Sequence, residues 1–199
     1  LAKNFIEAGG AGILVPSFAP GATQADQTLV LWKWSKSRPH KVSVHDPVAK
    51  YYPGLTRAKD ITLLDLMNHV SGYPDYYPLD FVDRRMQKEI AADKLLRQYA
   101  GGKLDFEPGS KYSYSNTGYI LLGRVVEKVG GKPFSEFLAQ RILKPLGMNQ
   151  TAFEPSADDP RVATGYASFA LSDPEAIGPE AKGWIGAAGG IFSTPTDLA

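Results

Sequence analysis

The clearest pattern of apolar and polar positions lies in the second half of the chain. Apolar residues recur there at helical spacing, and the pair Gly130-Gly131 follows the last of them. The apolar positions are Tyr119, Leu122, Val125, Val126 and Val129. Because many helices end at a left-handed residue, most often glycine, this pattern predicts a helix that ends at the glycine pair.

A second helix is predicted directly after this one. Pro133 suits the first turn of a helix, since the N–H that proline lacks would be unpaired there. Pro145 and Gly147 end the segment, because proline disfavours continuation and glycine favours the left-handed end. The apolar face consists of Phe134, Phe137, Leu138, Ile142 and Leu143.

Two more helices are predicted upstream. Thr62 and Asp65 form a capping-box pattern, and the glycine of Ser71-Gly72-Tyr73-Pro74 is expected to end that helix. Asp83 to Tyr99 predicts a further helix that ends at Gly101-Gly102. The apolar side of the first of these two consists of Leu63, Leu64, Leu66, Met67 and Val70.

The other segments carry weaker signals. Val42, Val44 and Val48 alternate with polar residues, which indicates an extended segment. Residues 13–15 and 28–32 are interpreted as short strands or buried turns. Thr151 to Lys182, rich in proline, aspartate and alanine, is interpreted as a long excursion with little regular structure.

The final residues carry the signals of a helix start. Thr194 is the expected N-cap, Pro195 the first helical residue and Asp197 the third. The sequence stops at Ala199, before one turn is complete, and a helix needs several turns to outweigh its nucleation cost. The sequence therefore predicts a fragment of a longer chain.

Charge and composition exclude several classes of function. The 199 residues carry 22 Lys plus Arg against 21 Asp plus Glu, a net charge of +1. This balance argues against nucleic acid as a partner, and the basic residues Lys33, Lys36, Arg38 and Lys41 are interpreted as a solvated loop. No apolar run approaches the roughly 20 residues that span a bilayer.

The sequence does not indicate the oligomeric state of the protein.

The chain also lacks the residues of the commonest metal and thiol sites. It has no cysteine, which excludes disulfides, thiolate metal sites and a cysteine nucleophile. The three histidines have no zinc-ligand spacing, so neither a metal nor a cofactor is expected. His69, near a predicted helix end, is interpreted as a hydrogen-bonded structural residue. Neither a Gly-x-Ser-x-Gly elbow nor a phosphate-binding P-loop occurs.

One cluster of polar residues stands out. Tyr112 to Tyr119 brings hydroxyl groups and an amide together just before the predicted central helix. Two interpretations are open. Ser115 or Asn116 simply caps the helix, or the cluster belongs to a catalytic site.

Four blocks of sequence resemble the serine β-lactamase-like family, which includes class C β-lactamases, D-alanyl-D-alanine peptidases and related esterases. Ile61 to Pro74 looks like the family's Leu-Leu-x-His-x-Ser-Gly-Leu-Pro segment, and Phe106 to Asn116 resembles its Pro-Gly and Tyr-Ser-Asn block. Residues 134–153 are similar to its Pro-Leu-Gly-Met helix, and residues 188–199 to its Ala-Gly-Gly to Asp-Leu-Ala segment. The blocks occur in the family's order.

The resemblance implies an α/β (α+β) β-lactamase/transpeptidase-like fold. The fold is expected to be incomplete, with mainly the helical lobe and part of the mixed lobe. Residues 1–40 are interpreted as a divergent or aberrant segment and 41–199 as a partial domain truncated at its C-terminus. Sheet edges or core are then expected to be exposed, with marginal solubility or dependence on a partner fragment.

The resemblance also implies acyl transfer through a serine nucleophile, acting on a β-lactam, a D-Ala peptide or a small ester. Tyr114 would be the catalytic proton-transfer residue, and Asn116 would bind the substrate. A phenol with a reference pKa of about 10 needs cationic neighbours to act as a base near neutral pH. Gly189-Gly190 would be a close approach of the backbone. A periplasmic or secreted location is slightly favoured, and a cytoplasmic one is compatible.

The chain departs from the family at the nucleophile. The family motif is Ser-x-x-Lys, but no lysine of this chain has a serine three residues before it. Thr56 and Lys59 have the offset but stand in a variable turn, and are rejected. Thr23 and Asp26 stand roughly where the serine and lysine belong. Either the first forty residues have diverged, or they are read in a shifted frame, which translation of the encoding DNA would decide.

Two functional hypotheses follow. The chain is a serine hydrolase, or it is a catalytically inactive family member or fragment without the acylating serine. The family's third motif, Lys-Thr-Gly or His-x-Gly, does not occur before Ala199.

Overall fold

The computed structural model describes residues 12–16, 27–31, 42–77, 84–156, 158–167, 173–178 and 180–198. Its longest element is the helix α3, and shorter helices and turns pack around it. The helices are α1 (Leu63–Met67), α2 (Ala92–Tyr99), α3 (Asn116–Gly130), α4 (Phe134–Leu138), α5 (Lys144–Leu146) and α6 (Pro195–Leu198). The strands are β1 (Gly12–Pro16), β2 (Gln27–Leu31), β3 (Ala152–Phe153), β4 (Gly165–Ala167), β5 (Glu175–Ile177) and β6 (Ile191–Phe192).

Helix α3 confirms the strongest sequence prediction. It ends at Gly130, and Gly131 follows in the left-handed conformation with φ +66°. Leu121 and Val125 are fully buried, and each contributes about 1.5–3 kcal/mol by leaving water. The side chains buried along α3 are Thr117, Ile120, Leu121, Leu122, Val125 and Val126.

The core lies between α3 and the two upstream helices. Leu66 of α1 and Leu95 and Leu96 of α2 are at most 1% exposed and join α3 in one apolar cluster. Gly118 lets α3 approach α1 closely, since a β-carbon there would stand 3.4 Å from the carbonyl oxygen of Leu66. This packing fixes the position of the N-terminus of α3.

Helix α1 has the predicted start but ends earlier than predicted. The capping box is formed, with the backbone N–H of Asp65 donating to Thr62 Oγ1 and the backbone N–H of Thr62 donating to Asp65 Oδ2. The helix ends at Met67, before Ser71-Gly72. His69, with φ +57°, adopts the left-handed conformation that was expected of glycine at this end.

Two predictions of continuous segments were wrong. Residues 42–48 form a turn, in which the N–H of Asp46 donates to the carbonyl of Ser43, and lead into a 3₁₀ turn at Val48–Lys50. The predicted helix from Asp83 to Tyr99 is divided into a 3₁₀ turn at Arg84–Gln87 and α2. The interruption arises because the N–H of Ile90 donates to the carbonyl of Lys182 instead of to a helical turn.

The helix predicted after Pro133 forms with a local widening. Helix α4 continues through one π-helical turn, Ala139–Leu143, into α5, and Gly147 follows with φ +70°. Pro145 has no N–H for the carbonyl four residues earlier, and its ring needs room there. A widened turn before the proline accommodates both demands.

The strands form three two-stranded antiparallel sheets: β1 with β2, β3 with β6, and β4 with β5. The first pair confirms the strand interpretation of residues 13–15 and most of 28–32. Strands β3, β4 and β5 lie inside the segment Thr151 to Lys182, which was predicted to have little regular structure. Three apolar side chains in and after β6 are exposed: Ile191, Phe192 and Leu198.

The predicted start of α6 is confirmed. The N–H of Asp197 donates to Thr194 Oγ1 at 3.2 Å. The Asp197 carboxylate in turn accepts from Thr151 Oγ1 at 2.7 Å, which ties this end to the segment before β3. Among the described residues, none of the helices has the length and apolar character that crossing a membrane requires.

We predict that Gly72→Ala destabilises the fold more than Gly109→Ala does. Both glycines have positive φ, +81° and +76°, so both variants carry a backbone cost of about 1–2 kcal/mol. A β-carbon at Gly72 would also collide with the carbonyl of Phe106, whereas none of the described atoms stands near one at Gly109. Overpacking adds about 1–3 kcal/mol.

Urea unfolding of the two variants and the parent chain measures the difference in free energy. Equal losses in the two variants would contradict the close approach at Gly72.

Candidate functional site

The candidate site is a loop of hydroxyl-bearing residues that folds over His69. The imidazole of His69 stacks on the ring of Tyr114 at 4.4 Å between centroids and on the ring of Tyr119 at 5.1 Å. Tyr112 meets the same imidazole edge-on at 5.8 Å. His69 therefore lies at the centre of the aromatic residues that the sequence places around Tyr-Ser-Asn.

Backbone hydrogen bonds attach this loop to His69. The N–H of Ser113 donates to the carbonyl of His69 at 2.9 Å. The N–H of Ser115 donates to His69 Nδ1 at 3.1 Å. The left-handed backbone of His69 thus lets one residue hold the loop through both its carbonyl and its ring.

Asp75 holds the other side of the loop. Its carboxylate accepts from the backbone N–H of Asn116 at 3.0 Å and from Asn116 Nδ2 at 3.1 and 3.2 Å. The backbone contact satisfies an N–H at the first turn of α3, where a carboxylate also interacts favourably with the helix dipole. These contacts orient the amide so that its oxygen points away from Asp75.

The capping interpretation of the polar cluster needs correction. Ser115 is the N-cap residue of α3, but its side chain makes no capping hydrogen bond. Its hydroxyl donates instead to the carbonyl of Pro74, at 3.5 Å. Asn116 directs its side chain to Asp75. The acceptor at the start of the helix comes from a residue 41 positions earlier, which local sequence patterns do not reveal.

Tyr114 and Asn116 meet at the accessible face of the loop. The Tyr114 hydroxyl donates to Asn116 Oδ1 at 3.3 Å, and the Tyr114 side chain is 53% exposed. The pair presents a phenol and an amide to the same space. Such a pair can exchange a proton with a bound molecule and can hydrogen-bond an acyl group.

The electrostatics favour the protonated phenol. Partial burial raises the pKa of Tyr114, and the nearby Asp75 and Tyr112 raise it further. Burial lowers the pKa of His69, although the nearby Asp75 acts in the opposite direction. At neutral pH the site therefore holds a neutral phenol beside a neutral imidazole.

The structure brings the predicted residues Tyr114 and Asn116 together, and it adds Asp75 and a larger role for His69. Asp75 was not predicted from the sequence, although it directly follows the segment Ile61 to Pro74 that resembles the family. Gly190 is closely packed, since a β-carbon there would stand 2.9 Å from the carbonyl oxygen of Gly186. Thr23 and Asp26, which stand roughly where the family's serine and lysine belong, lie outside the described residues, as does the basic cluster from Lys33 to Lys41.

A cavity of about 540 Å³ lies elsewhere, between α3 and the segment before β6. Three of its charged side chains, Arg124, Glu127 and Glu154, have partners within the protein. Arg124 pairs with Asp93 and Glu127, and Glu154 accepts from the N–H of Gly186 at 2.9 Å. The cavity therefore offers no reactive arrangement comparable to the Tyr114 loop, despite its size.

The sequence profile of the Beta-lactamase family matches residues 37–199. The chain belongs to the Beta-lactamase family. Its members compared below are β-lactamase-like serine hydrolases, and the matched range includes every residue of the candidate site. The recognition made from the four sequence blocks is confirmed.

Two relatives in the Beta-lactamase family illustrate its range. The chain is 32% identical over 165 residues to the D-alanyl-D-alanine-carboxypeptidase/endopeptidase AmpH of Escherichia coli strain K12, covering 79% of the chain and 40% of that protein. It is 31% identical over 188 residues to the teichoic acid D-alanine hydrolase of Staphylococcus aureus strain MRSA252, covering 91% and 44%. The chain thus spans less than half the length of these relatives.

Solved structures confirm the β-lactamase/transpeptidase-like fold. The D-stereospecific amidohydrolase from Streptomyces sp. superposes with a TM-score of 0.68 at 28% identity, covering 79% of this chain and 51% of that chain. The D-amino acid amidase from Ochrobactrum anthropi SV3 superposes with a TM-score of 0.65 at 30% identity, covering 79% and 47%. The partial coverage agrees with an incomplete fold.

We predict that Asp75→Asn destabilises the chain by about 1–3 kcal/mol. The asparagine oxygen can still accept from the backbone N–H of Asn116, but its NH2 group would face Asn116 Nδ2, and the negative charge at the start of α3 is lost. Asp93→Asn is the matched control. Asp93 also pairs with a residue of α3, but its side chain is 49% exposed, so its loss costs about 0–1 kcal/mol.

Chemical unfolding of both variants gives the comparison. If Asp93→Asn costs as much as Asp75→Asn, Asp75 has no special role at the start of α3.

We predict that the Tyr114 hydroxyl ionises above the ordinary pKa of tyrosine, about 10, and that Asp75→Asn lowers its pKa toward that value. The sign follows from charge, since a neighbouring carboxylate disfavours a phenolate. Carbon-13 NMR of the tyrosine Cζ atoms, assigned with Tyr114→Phe, follows the titration. A Tyr114 pKa below 10 in the parent chain would contradict the electrostatic description.

Proposed function

We propose that this chain forms the Tyr114 side of a serine hydrolase site that cleaves the acyl bond of a D-alanyl amide or ester. Tyr114 exchanges the proton with the attacking and leaving groups. Asn116 hydrogen-bonds the acyl side of the substrate and holds it in register with the phenol.

The contact between Tyr114 and Asn116 carries this proposal. The hydroxyl is exposed, points at the amide oxygen of its neighbour and lies in a loop held from both sides by His69 and Asp75. A phenol placed only for packing would need neither an oriented amide beside it nor a carboxylate that orients the amide.

The names of the relatives support the choice of substrate. Those compared above are a D-alanyl-D-alanine carboxypeptidase, a teichoic acid D-alanine hydrolase, a D-stereospecific amidohydrolase and a D-amino acid amidase. Each name specifies an acyl bond at a D-amino acid or a D-stereospecific reaction. Two of the four names specify D-alanine, and the other two are compatible with a D-alanyl substrate, so we choose a D-alanyl amide or ester.

A second candidate function is that of a family member without catalysis, which the missing Ser-x-x-Lys pattern favours. The raised pKa of Tyr114 points the same way, because a phenol acts as a base near neutral pH only beside a cation. Under this hypothesis the same loop binds an acyl group without forming an acyl-enzyme.

We predict that the chain is labelled covalently by a fluorescent penicillin and by a fluorophosphonate, and that Tyr114→Phe slows labelling by at least tenfold. A general acid–base residue contributes about 10²–10⁴-fold to rate, so the loss is measurable in single-turnover labelling. Gel fluorescence and intact-protein mass spectrometry follow the adduct, and peptide mapping identifies the nucleophile.

Tyr166→Phe is the matched control, since Tyr166 is also exposed, at 66%, but lies on β4. Folded chain that takes up neither probe supports the non-catalytic alternative and contradicts hydrolysis. Equal slowing by Tyr166→Phe and Tyr114→Phe contradicts the assigned role of Tyr114.

A further inference from the structure

We propose that His69 is a positioning residue of this site, whose neutral imidazole holds the Tyr-Ser-Asn turn in place and releases it on protonation. The effect of this release on catalysis rests on the proposed function. The structural basis of the inference is the hydrogen bond from the N–H of Ser115 to His69 Nδ1 at 3.1 Å.

This bond exists in only one charge state of the ring. A neutral imidazole whose Nδ1 carries no proton accepts a hydrogen bond there, whereas both nitrogens of an imidazolium are donors. Protonation of His69 therefore sets two N–H groups against each other at this contact. The bond must break, and the backbone of Ser115 loses its acceptor.

The location of the bond makes this loss consequential. Ser115 stands between the two residues assigned to the chemistry, Tyr114 and Asn116, and the stacked ring of His69 also sets the plane of the phenol. Asp75 still holds Asn116 after the bond breaks. Protonation is thus expected to displace Tyr114 relative to Asn116 rather than to release both.

The backbone at His69 supports a purpose beyond packing. A left-handed conformation, here with φ +57°, is uncommon for residues other than glycine, and asparagine, aspartate and histidine adopt it more often than the rest. Glycine would fit this helix end with less strain, and asparagine would fit it as well. Neither would supply an acceptor that changes with pH together with an aromatic face.

The groups facing the imidazole define its charge state. Tyr112 and Tyr114 come from the loop, Tyr119 from α3, and Asp75 from the segment after α1. Burial among the rings lowers the pKa of His69, and Asp75 only partly offsets this. The imidazole is neutral at pH 7, so the hydrogen bond from the Ser115 N–H to His69 Nδ1 is intact there. The bond is lost as the pH falls below the ordinary pKa of histidine.

Two variants separate the acceptor from the backbone conformation. His69→Asn and His69→Gly both suit positive φ and both remove the ring, but only asparagine places an oxygen close to the Nδ1 position. The readout is the hydrogen-exchange protection factor of the Ser115 amide in the full chain, measured by NMR. Imidazole resonances recorded in parallel show the pH at which His69 of the parent chain is protonated.

In the parent chain we expect the protection of Ser115 to fall about tenfold as the imidazole becomes protonated. His69→Asn should keep protection at every pH, and His69→Gly should lack it at every pH. Unchanged protection across the titration of His69, or equal protection in the two variants, would overturn the proposal.

Labelling by the fluorophosphonate across the same pH range separates this inference from the proposed function. Labelling that falls with acidification in the parent chain but not in His69→Asn supports both. An identical decline in both contradicts the positioning role and leaves the hydrolase standing. Absence of labelling alongside the predicted behaviour of Ser115 contradicts the hydrolase alone.

Discussion

The first turn of a helix leaves backbone N–H groups that need acceptors, and Asp75 supplies the acceptor where α3 begins. The helix itself is fixed by apolar burial against α1 and α2, so its N-terminus cannot move to find another partner. The same carboxylate orients the amide of Asn116, which then faces the phenol of Tyr114. A contact needed to start the helix thus also shapes the candidate site.

His69 provides the complementary constraint from the end of α1. Its left-handed backbone ends that helix and turns both its carbonyl and its ring toward the loop before α3. Burial lowers the pKa of His69 and raises the pKa of Tyr114, so it favours the uncharged form of both side chains. The site in this chain is therefore an uncharged pair beside one carboxylate. Activation of the phenol as a base would require a cation, which the family's lysine provides and which no Ser-x-x-Lys of this chain supplies.

Local patterns were sufficient for several elements. The period of α3, the capping box at Thr62 and the glycines after α3 and α5 each involve neighbours within a few residues, and all were predicted. Segments whose backbone bonds to distant residues were predicted wrongly. Ile90 donates to Lys182 and thereby interrupts the helix expected from Asp83 to Tyr99. Propensity cannot report a partner some ninety residues away.

The sequence by itself determined the family and the central helix, and it predicted Tyr114 and Asn116 as candidate site residues, because these depend on residue identity and short spacing. The tertiary structure alone decided that Asp75 holds the amide, that His69 accepts from Ser115 and that Ser115 does not cap its own helix. The physical reason is the same in each case. A buried N–H takes whichever acceptor the packing of α1 against α3 brings within reach, and chain distance does not constrain that choice.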